Sequence, residues 1–148
     1  MGRIDTVGYK IRLIHNRIHK TMEAKREANQ DDLTGMQRWT IGFLKEHEAE
    51  EIYQRDIETA FSVSRATASN MLSVMERKGL IERLSVVHDA RLKKLVLTPK
   101  ATNMLERAQA DVREMEETIL RGMSQEEILA FKTTLDRIIA NLGEETTH

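Results

Sequence analysis

The sequence predicts a mainly α fold: a winged helix-turn-helix with N- and C-terminal helices forming a dimerisation domain. Three observations predict it. Between Gln54 and Lys78, two apolar stripes at helical spacing are separated only by Ser62-Val63-Ser64. After Gly79, two runs rich in branched residues, 80–86 and 92–97, read as the strands of a hairpin. Three long amphipathic stripes lie at the two ends of the chain, more apolar surface than one small module covers. Residues 31–99 are therefore expected to form the winged module, and residues 1–30 and 100–148 the dimerisation helices.

The first helix is expected over about Asp5 to Glu27. Val7, Ile11, Ile14, Ile18 and Met22 recur at steps of three and four, with Lys10, Arg17 and Lys20 on the opposite face. His15 and His19 lie one turn apart, a spacing that suits either a metal or an ordinary surface; no further ligand has a placed position, so no metal is expected. Asn29-Gln30-Asp31-Asp32 is a polar break, after which Thr34 caps a second helix with Gln37 as its reciprocal partner. In that helix Trp39 and Phe43 are four apart, and either floor a ligand pocket or pack the core. An acidic turn over 46–51 follows, and Ile52-Tyr53 is expected as a short third strand of the wing sheet.

The next helix should bury Ile57, Ala60 and Phe61, with Val63 plugging the turn. Ser64 caps the helix after it, which should bury Ala68, Met71, Leu72 and Met75 and stop at Lys78-Gly79. Beyond the wing, Thr98-Pro99 opens a helix to about Leu120. Its Ala101, Leu105, Ala108, Val112, Met115 and Ile119 follow a heptad-like rhythm. Arg121-Gly122-Met123 breaks it, and Ser124-Gln125-Glu126-Glu127 reads as a capping box. The last helix carries the stripe Ile128, Phe131, Leu135, Ile138 and Leu142, and the tail from Glu144 to His148 is expected to fray.

The candidate DNA-binding residues lie on the 64–78 helix and on the wing. On the helix they are Ser64, Arg65, Thr67, Ala68, Ser69 and Asn70, with Ala68 also counted as buried. Short hydrogen-bonding side chains and one long cation on a helix's exposed N-terminal part suit a major groove, where Arg reads guanine and Asn reads adenine. On the wing they are Asp89, Arg91, Lys93 and Lys94, with Asp89 spaced to orient Arg91 and the lysines following. A solvated helix face and a winged-helix protein-interaction module without DNA binding are the alternatives. The second would call for more exposed apolar anchors.

Net charge is only −1, but its distribution is uneven. From Ser62 to Lys100 there are eight cations against three anions; from Ala101 to His148 there are five cations against ten anions. The positive field is therefore concentrated on the candidate DNA-binding stretch. The chain has no cysteine, which excludes disulfides, thiolate metal sites and thiol catalysis. No apolar run reaches the ~18 residues of a membrane span, and the N-terminus lacks a signal's apolar core. The cytoplasm is the expected compartment. No catalytic or cofactor motif is present, so neither an enzyme nor a bound cofactor is expected.

The chain resembles the MarR family of winged helix-turn-helix regulators. The resemblance rests on Asp56-Ile57, Ser64 to Ser69, Glu76-Arg77-Lys78-Gly79-Leu80-Ile81, Asp89-Ala90-Arg91 and Leu97-Thr98, in that order. Leu33-Thr34-Gly35-Met36-Gln37 and Gly122 to Glu127 are similar to the openings of the family's second and last helices. Three positions depart from the pattern: Tyr53 stands where Thr or Ser commonly caps, Glu58 where a small Ala is common, and Ser62 where the turn usually has Gly. The resemblance implies a homodimer on double-stranded DNA, a repressor reading a palindrome with the helix at 64–78 and the wing at 81–97. It also implies a small phenolic or anionic effector between the dimer helices and the DNA-binding lobes. The residues expected at that site are Arg12, His15, Trp39 and Phe43.

Overall fold

The computed structural model describes residues 5–143, so the tail expected to fray lies outside the described residues. The elements run α1 Val7–Ala28, α2 Gly35–Glu46, α3 Gln54–Phe61, α4 Arg65–Arg77, β1 Ile81–Val86, β2 Asp89–Leu97, α5 Pro99–Ile119 and α6 Gln125–Leu142. Two compact units result, residues 1–111 and residues 112–148, and the division falls inside α5.

In the first unit, α1 is capped by the Thr6 hydroxyl, which accepts from the Tyr9 N–H at 3.2 Å. None of its residues is buried. The connection to α2 is pinned by Asp31. Its carboxylate accepts from both Arg38 guanidinium nitrogens at 2.8 Å and from the Leu33 N–H at 3.1 Å. Burial pushes the Asp31 carboxyl up, but the Arg38 and Leu33 hydrogen bonds, aided by the charges of Arg38 and Arg26, outweigh it and hold its pKa below the usual value. A depressed carboxylate stabilises the fold above its unfolded pKa and loses that contribution as pH falls through the folded one. The stability gap between this chain and Asp31→Asn should therefore narrow from about pH 5 to about pH 2 in urea unfolding. A constant gap would refute the assignment.

The expected reciprocal cap opens α2: Gln37 N–H to the Thr34 hydroxyl at 3.2 Å, Thr34 N–H to the Gln37 side-chain amide oxygen at 3.1 Å. Helix α3 lacks a capping hydroxyl, and the Asp56 carboxylate substitutes by accepting from the Tyr53 N–H at 2.8 Å. Of the three core residues expected from α3, only Ile57 is fully buried; Phe61 is half-buried and Ala60 exposed. Eight residues make little more than two turns, and only the line through Ile57 meets the other helices. Ser62 ends α3 in the left-handed region, φ 51° and ψ 46°. A Cβ is unfavourable there, so Ser62→Gly should raise stability by about 0.5–1 kcal/mol in denaturant unfolding, after its added unfolded-state entropy is discounted. No gain would mean that the turn carries no strain.

The core of this unit joins Ile41 and Leu44 of α2, Ile57 of α3, Leu72 and Met75 of α4, and Leu80, Ile81, Leu95 and Ala101, with Ile52 entering from the turn before α3. Ala68 is fully buried and Met71 packs half-buried against the cluster. The sheet has two strands, paired antiparallel. Ile52-Tyr53 is not the expected third strand. The Leu95 N–H donates to the Ile52 carbonyl at 2.7 Å, but Ile52 turns its side chain into the core and Tyr53 is already the N-cap of α3.

Thr98 and Lys100 tie α5 to the end of α4. The Thr98 hydroxyl donates to the Gly79 carbonyl at 2.5 Å and accepts from the Ala101 N–H at 3.3 Å; the Lys100 ammonium donates to the Lys78 carbonyl at 2.7 Å. In the second unit, Gly122 takes φ +81°, which releases the chain from α5, and the Ser124 hydroxyl accepts from the Glu127 N–H at 3.2 Å to start α6. No residue of α6 is buried, and Leu129, Phe131, Ile139 and Leu142 are exposed.

Candidate nucleic-acid interface

Helix α4 is presented by its own cap. The Ser64 hydroxyl accepts from the Thr67 N–H at 3.1 Å and donates to the Thr67 hydroxyl at 2.9 Å. That leaves the Thr67 hydroxyl proton free to donate outward. Arg65, Thr67 and Asn70 are exposed and Ser69 is half-buried. Ala68, also expected at the interface, is 0% exposed and is corrected to a core residue alone. Its neighbours look outward because a helix turns about 100° per residue, so one position in this run must face the core.

The wing differs from the expected five-residue tip. The turn is Val87-His88, and β2 already begins at Asp89. Val86 pairs with Asp89 while Ser85 pairs with Lys93, so Ala90, Arg91 and Leu92 are extra residues on one strand. Such a bulge swings a side chain out of the ladder. The Asp89 carboxylate holds the displaced segment, accepting from the Arg91 backbone N–H at 2.9 Å and from its guanidinium at 3.4 and 3.5 Å. The backbone N–H, then the guanidinium, lower the Asp89 pKa. Arg91 itself stays largely in solvent, orientated but unburied.

Wing, α3 and α4 together enclose a groove of about 410 Å³. Arg55, Arg65, Arg83, Arg91 and Lys93 line it, with Glu58 as the acid among its lining residues. Glu58, which departs from the family's small residue, thus sits at a groove wall. The Lys93 ammonium donates to the Ser85 hydroxyl at 2.6 Å, across the ladder. Lys94 does not join them. Strand alternation sends it to the opposite face, where it lines a separate hollow with Leu44, His47 and Glu48.

Several residues of the groove, Gln54, Arg55 and Arg83 among them, were absent from the sequence-based candidates. Gln54 donates its amide to the Arg65 carbonyl at 3.4 Å, joining the start of α3 to the start of α4. The Arg55 guanidinium lies 5.4 Å from the centre of the Tyr53 ring. The Arg83 guanidinium pairs with Glu76 at 3.3 Å, linking β1 to α4. A charge count begun before Ser62 would have included Arg55. Arg83 becomes legible only through the register, which places it two residues from Ser85, the partner of Lys93.

The expected effector residues fall into two groups. Trp39, Phe43, Phe61 and His47 form a run of rings, with centroids 6.1 Å apart for Trp39–Phe61, 5.7 Å for Phe43–Phe61 and 4.2 Å for Phe43–His47. Phe43 packs against the core, whereas Trp39 is 69% exposed, so the core reading fails for Trp39. Arg12 and His15 are exposed on α1, and no hydrogen bond, ion pair or ring contact joins them to this run among the described residues.

A sequence profile described as the MarR family matches residues 31–92. Solved structures of one Staphylococcus aureus protein, MepR, are similar over almost the whole chain. MepR bound to ethidium bromide is 31% identical with a TM-score of 0.83, covering 95% of this chain and 99% of that one. The MepR–DNA complex is 32% identical, also at 0.83, covering 91% and 98%. MepR described as a transcription regulator of the multidrug efflux pump MepA is 31% identical at 0.71, covering 93% and 98%.

Proposed function

The chain belongs to the MarR family of winged helix-turn-helix transcription regulators, and from that premise we propose that it is a homodimeric repressor whose hold on a palindromic operator is released by a small effector. The single observation that carries the DNA reading is the groove with five cations and one acid beside the exposed Arg65, Thr67 and Asn70. Phosphate contacts position a protein and base-edge contacts specify the sequence. Arg55, Arg83, Arg91 and Lys93 suit the first role; Arg65, Thr67, Ser69 and Asn70 suit the second. Ser64 orients the helix through its cap, and Asp89 orients Arg91. Lys94 is left out of the grip. Selection of genomic fragments by the purified protein tests this reading, which predicts enrichment of one inverted repeat. Recovery of fragments without a shared sequence would sink it.

The dimer reading is supported by the exposed apolar positions Val7, Ile11 and Ile14 on α1, Val112 on α5 and Leu129, Ile139 and Leu142 on α6. A closed two-fold assembly is the simplest way to cover them, and it spaces two recognition helices for a palindrome. Leu135→Glu places a charge in the α6 stripe and should convert the dimer to monomer, or unfold it, in sedimentation at micromolar concentration. A monomer for the unchanged chain would remove the premise.

The effector reading is supported by the ring run ending at exposed Trp39, and by MepR having been solved with ethidium, a planar aromatic cation. A planar effector could stack on Trp39 and Phe61, with Arg12 or His15 contributed from α1. Repeating the selection with phenolic acids and with ethidium, while Trp39 emission is followed, tests it; unchanged emission with a ligand that releases DNA places the site elsewhere. We place the protein in the cytoplasm with its DNA. No described helix is long and apolar enough to cross a membrane.

A further inference from the structure

The charged side chains that line the groove between the wing, α3 and α4 are not equally engaged. Arg83 is paired with Glu76, Arg91 with Asp89 and Lys93 with the Ser85 hydroxyl, and Arg55 lies over the Tyr53 ring. Two charged ends are left over. Among the described residues, neither the Arg65 guanidinium nor the Glu58 carboxylate has a hydrogen bond or an ion pair. Glu58 is half-buried in α3, one turn after Gln54, whose amide donates to the Arg65 carbonyl. Positions four apart share a helix face, so Glu58 stands on the face of α3 that meets the start of α4.

A free carboxylate facing a duplex meets few atoms that suit it. The phosphates are anions, and the N7, O6 and O4 atoms of the base edges are acceptors like itself. The donors of the major groove are the amino groups of cytosine N4 and adenine N6. Adenine sets its amino group beside the N7 acceptor, which suits an amide that both donates and accepts. An ionised carboxylate only accepts, and cytosine N4 is the group that matches it. The free guanidinium in the same groove matches the other side of that base pair, because guanine presents two acceptors. Arg65 and Glu58 thus carry the donor and the acceptor that a G·C pair requires.

We propose that Glu58 is a specificity residue: its carboxylate accepts from a cytosine N4 amino group in the operator and repels the phosphates of any duplex that does not present one. This role rests on the DNA-binding reading of the groove and adds a repulsive element to it. Discrimination is a difference of affinities, and a charge left uncompensated against the wrong duplex widens it as a contact with the right one does. The sign is opposite to that of the groove's cations. Losing Glu58 strengthens binding to DNA at large and weakens the choice among sequences.

The test titrates the full chain and its variants with the operator found by fragment selection and with scrambled DNA, at several salt concentrations. Glu58→Gln and Glu58→Ala should tighten binding to scrambled DNA about three- to tenfold at low salt, a gain that shrinks as salt screens the charge. Operator should not share the gain, so for Glu58→Ala the ratio of operator to scrambled affinity should fall about tenfold or more. Glu58→Asp keeps the charge and should leave scrambled binding near that of the unchanged chain. Glu50→Gln makes the same change of charge in the separate hollow behind the wing and should move scrambled binding less. Fragment selection repeated with Glu58→Ala should lose the preference for a C·G pair at one position of each half-site and keep the rest. Three results would each overturn the proposal with the DNA reading intact: a scrambled affinity no higher for Glu58→Gln than for Glu50→Gln, an operator gain as large as the scrambled gain, or an unaltered fragment preference for Glu58→Ala. An unchanged chain that enriches no sequence sinks the DNA reading itself, and the role of Glu58 with it. Denaturant unfolding of each variant separates these effects from loss of the fold.

Discussion

Arg91→Ala is expected to weaken binding to operator and to scrambled DNA by similar factors, whereas Asn70→Ala or Arg65→Ala should act chiefly on operator. Arg91 projects from the bulge of β2 with its guanidinium in solvent and its direction set by Asp89. A side chain so placed reaches the phosphate rim or the minor groove, where the base code is degenerate. Losing it should lower the salt dependence of binding by about one unit per phosphate contact removed. Arg65 and Asn70 stand on the exposed part of α4, where a major groove would distinguish every base pair. Each should cost about 1–3 kcal/mol on operator where it meets a base edge, and much less on scrambled sequence. Isotherms on both DNAs at several salt concentrations separate the two behaviours. Lys94→Ala serves as an internal contrast, since Lys94 faces away from the groove and should change neither isotherm by more than the loss of a distant charge. If Arg91→Ala leaves both affinities unchanged, the wing is not a DNA contact and the protein-interaction reading gains.

Leu72→Ala should cost about 2–5 kcal/mol of unfolding free energy, the combined loss of transferred apolar surface and of the cavity left behind. Leu72 is fully buried in the cluster that also contains Ile41, Ile57 and Met75. No single element of this unit has a core of its own, because α3 buries only Ile57 and the sheet has only two strands. The loss should therefore reach the whole winged module rather than fray one helix. Denaturant unfolding followed by far-ultraviolet dichroism measures it. Asn70→Ala, on the exposed side of the same helix, should change stability by no more than about 0.5 kcal/mol. A cost below about 1 kcal/mol for Leu72→Ala would mean that the α4 core can collapse around the missing atoms.

The sequence by itself determined the order of the elements and the ends of most helices. Those signals are local. Thr34 and Ser64 cap because a hydroxyl three residues before an N–H needs no distant partner. Ala68 and Leu72 are buried because helical spacing puts them on one stripe. The Asp89–Arg91 pairing was legible for the same reason, since two residues fix it. What only the tertiary structure decided involves partners far apart in the chain. The bulge that moves Arg91 out of the ladder, and the parity that separates Lys93 from Lys94 and joins Arg83 to the groove, follow from strand register. A one-residue shift of register exchanges the two faces, and nothing within either strand alone sets it. Ile52 reads as strand by composition, yet it makes one bond to Leu95 and the chain turns at once into the cap of α3, so no ladder continues. Trp39 and Phe43 read alike in the sequence, as pocket floor or as core, yet α2 presents Trp39 outward while Phe43, one turn on, packs inward. The Lys78–Asp32 pair and the Lys100 bond to the Lys78 carbonyl were invisible in the sequence because their partners stand 46 and 22 residues apart, and only folding brings them to 3.3 and 2.7 Å.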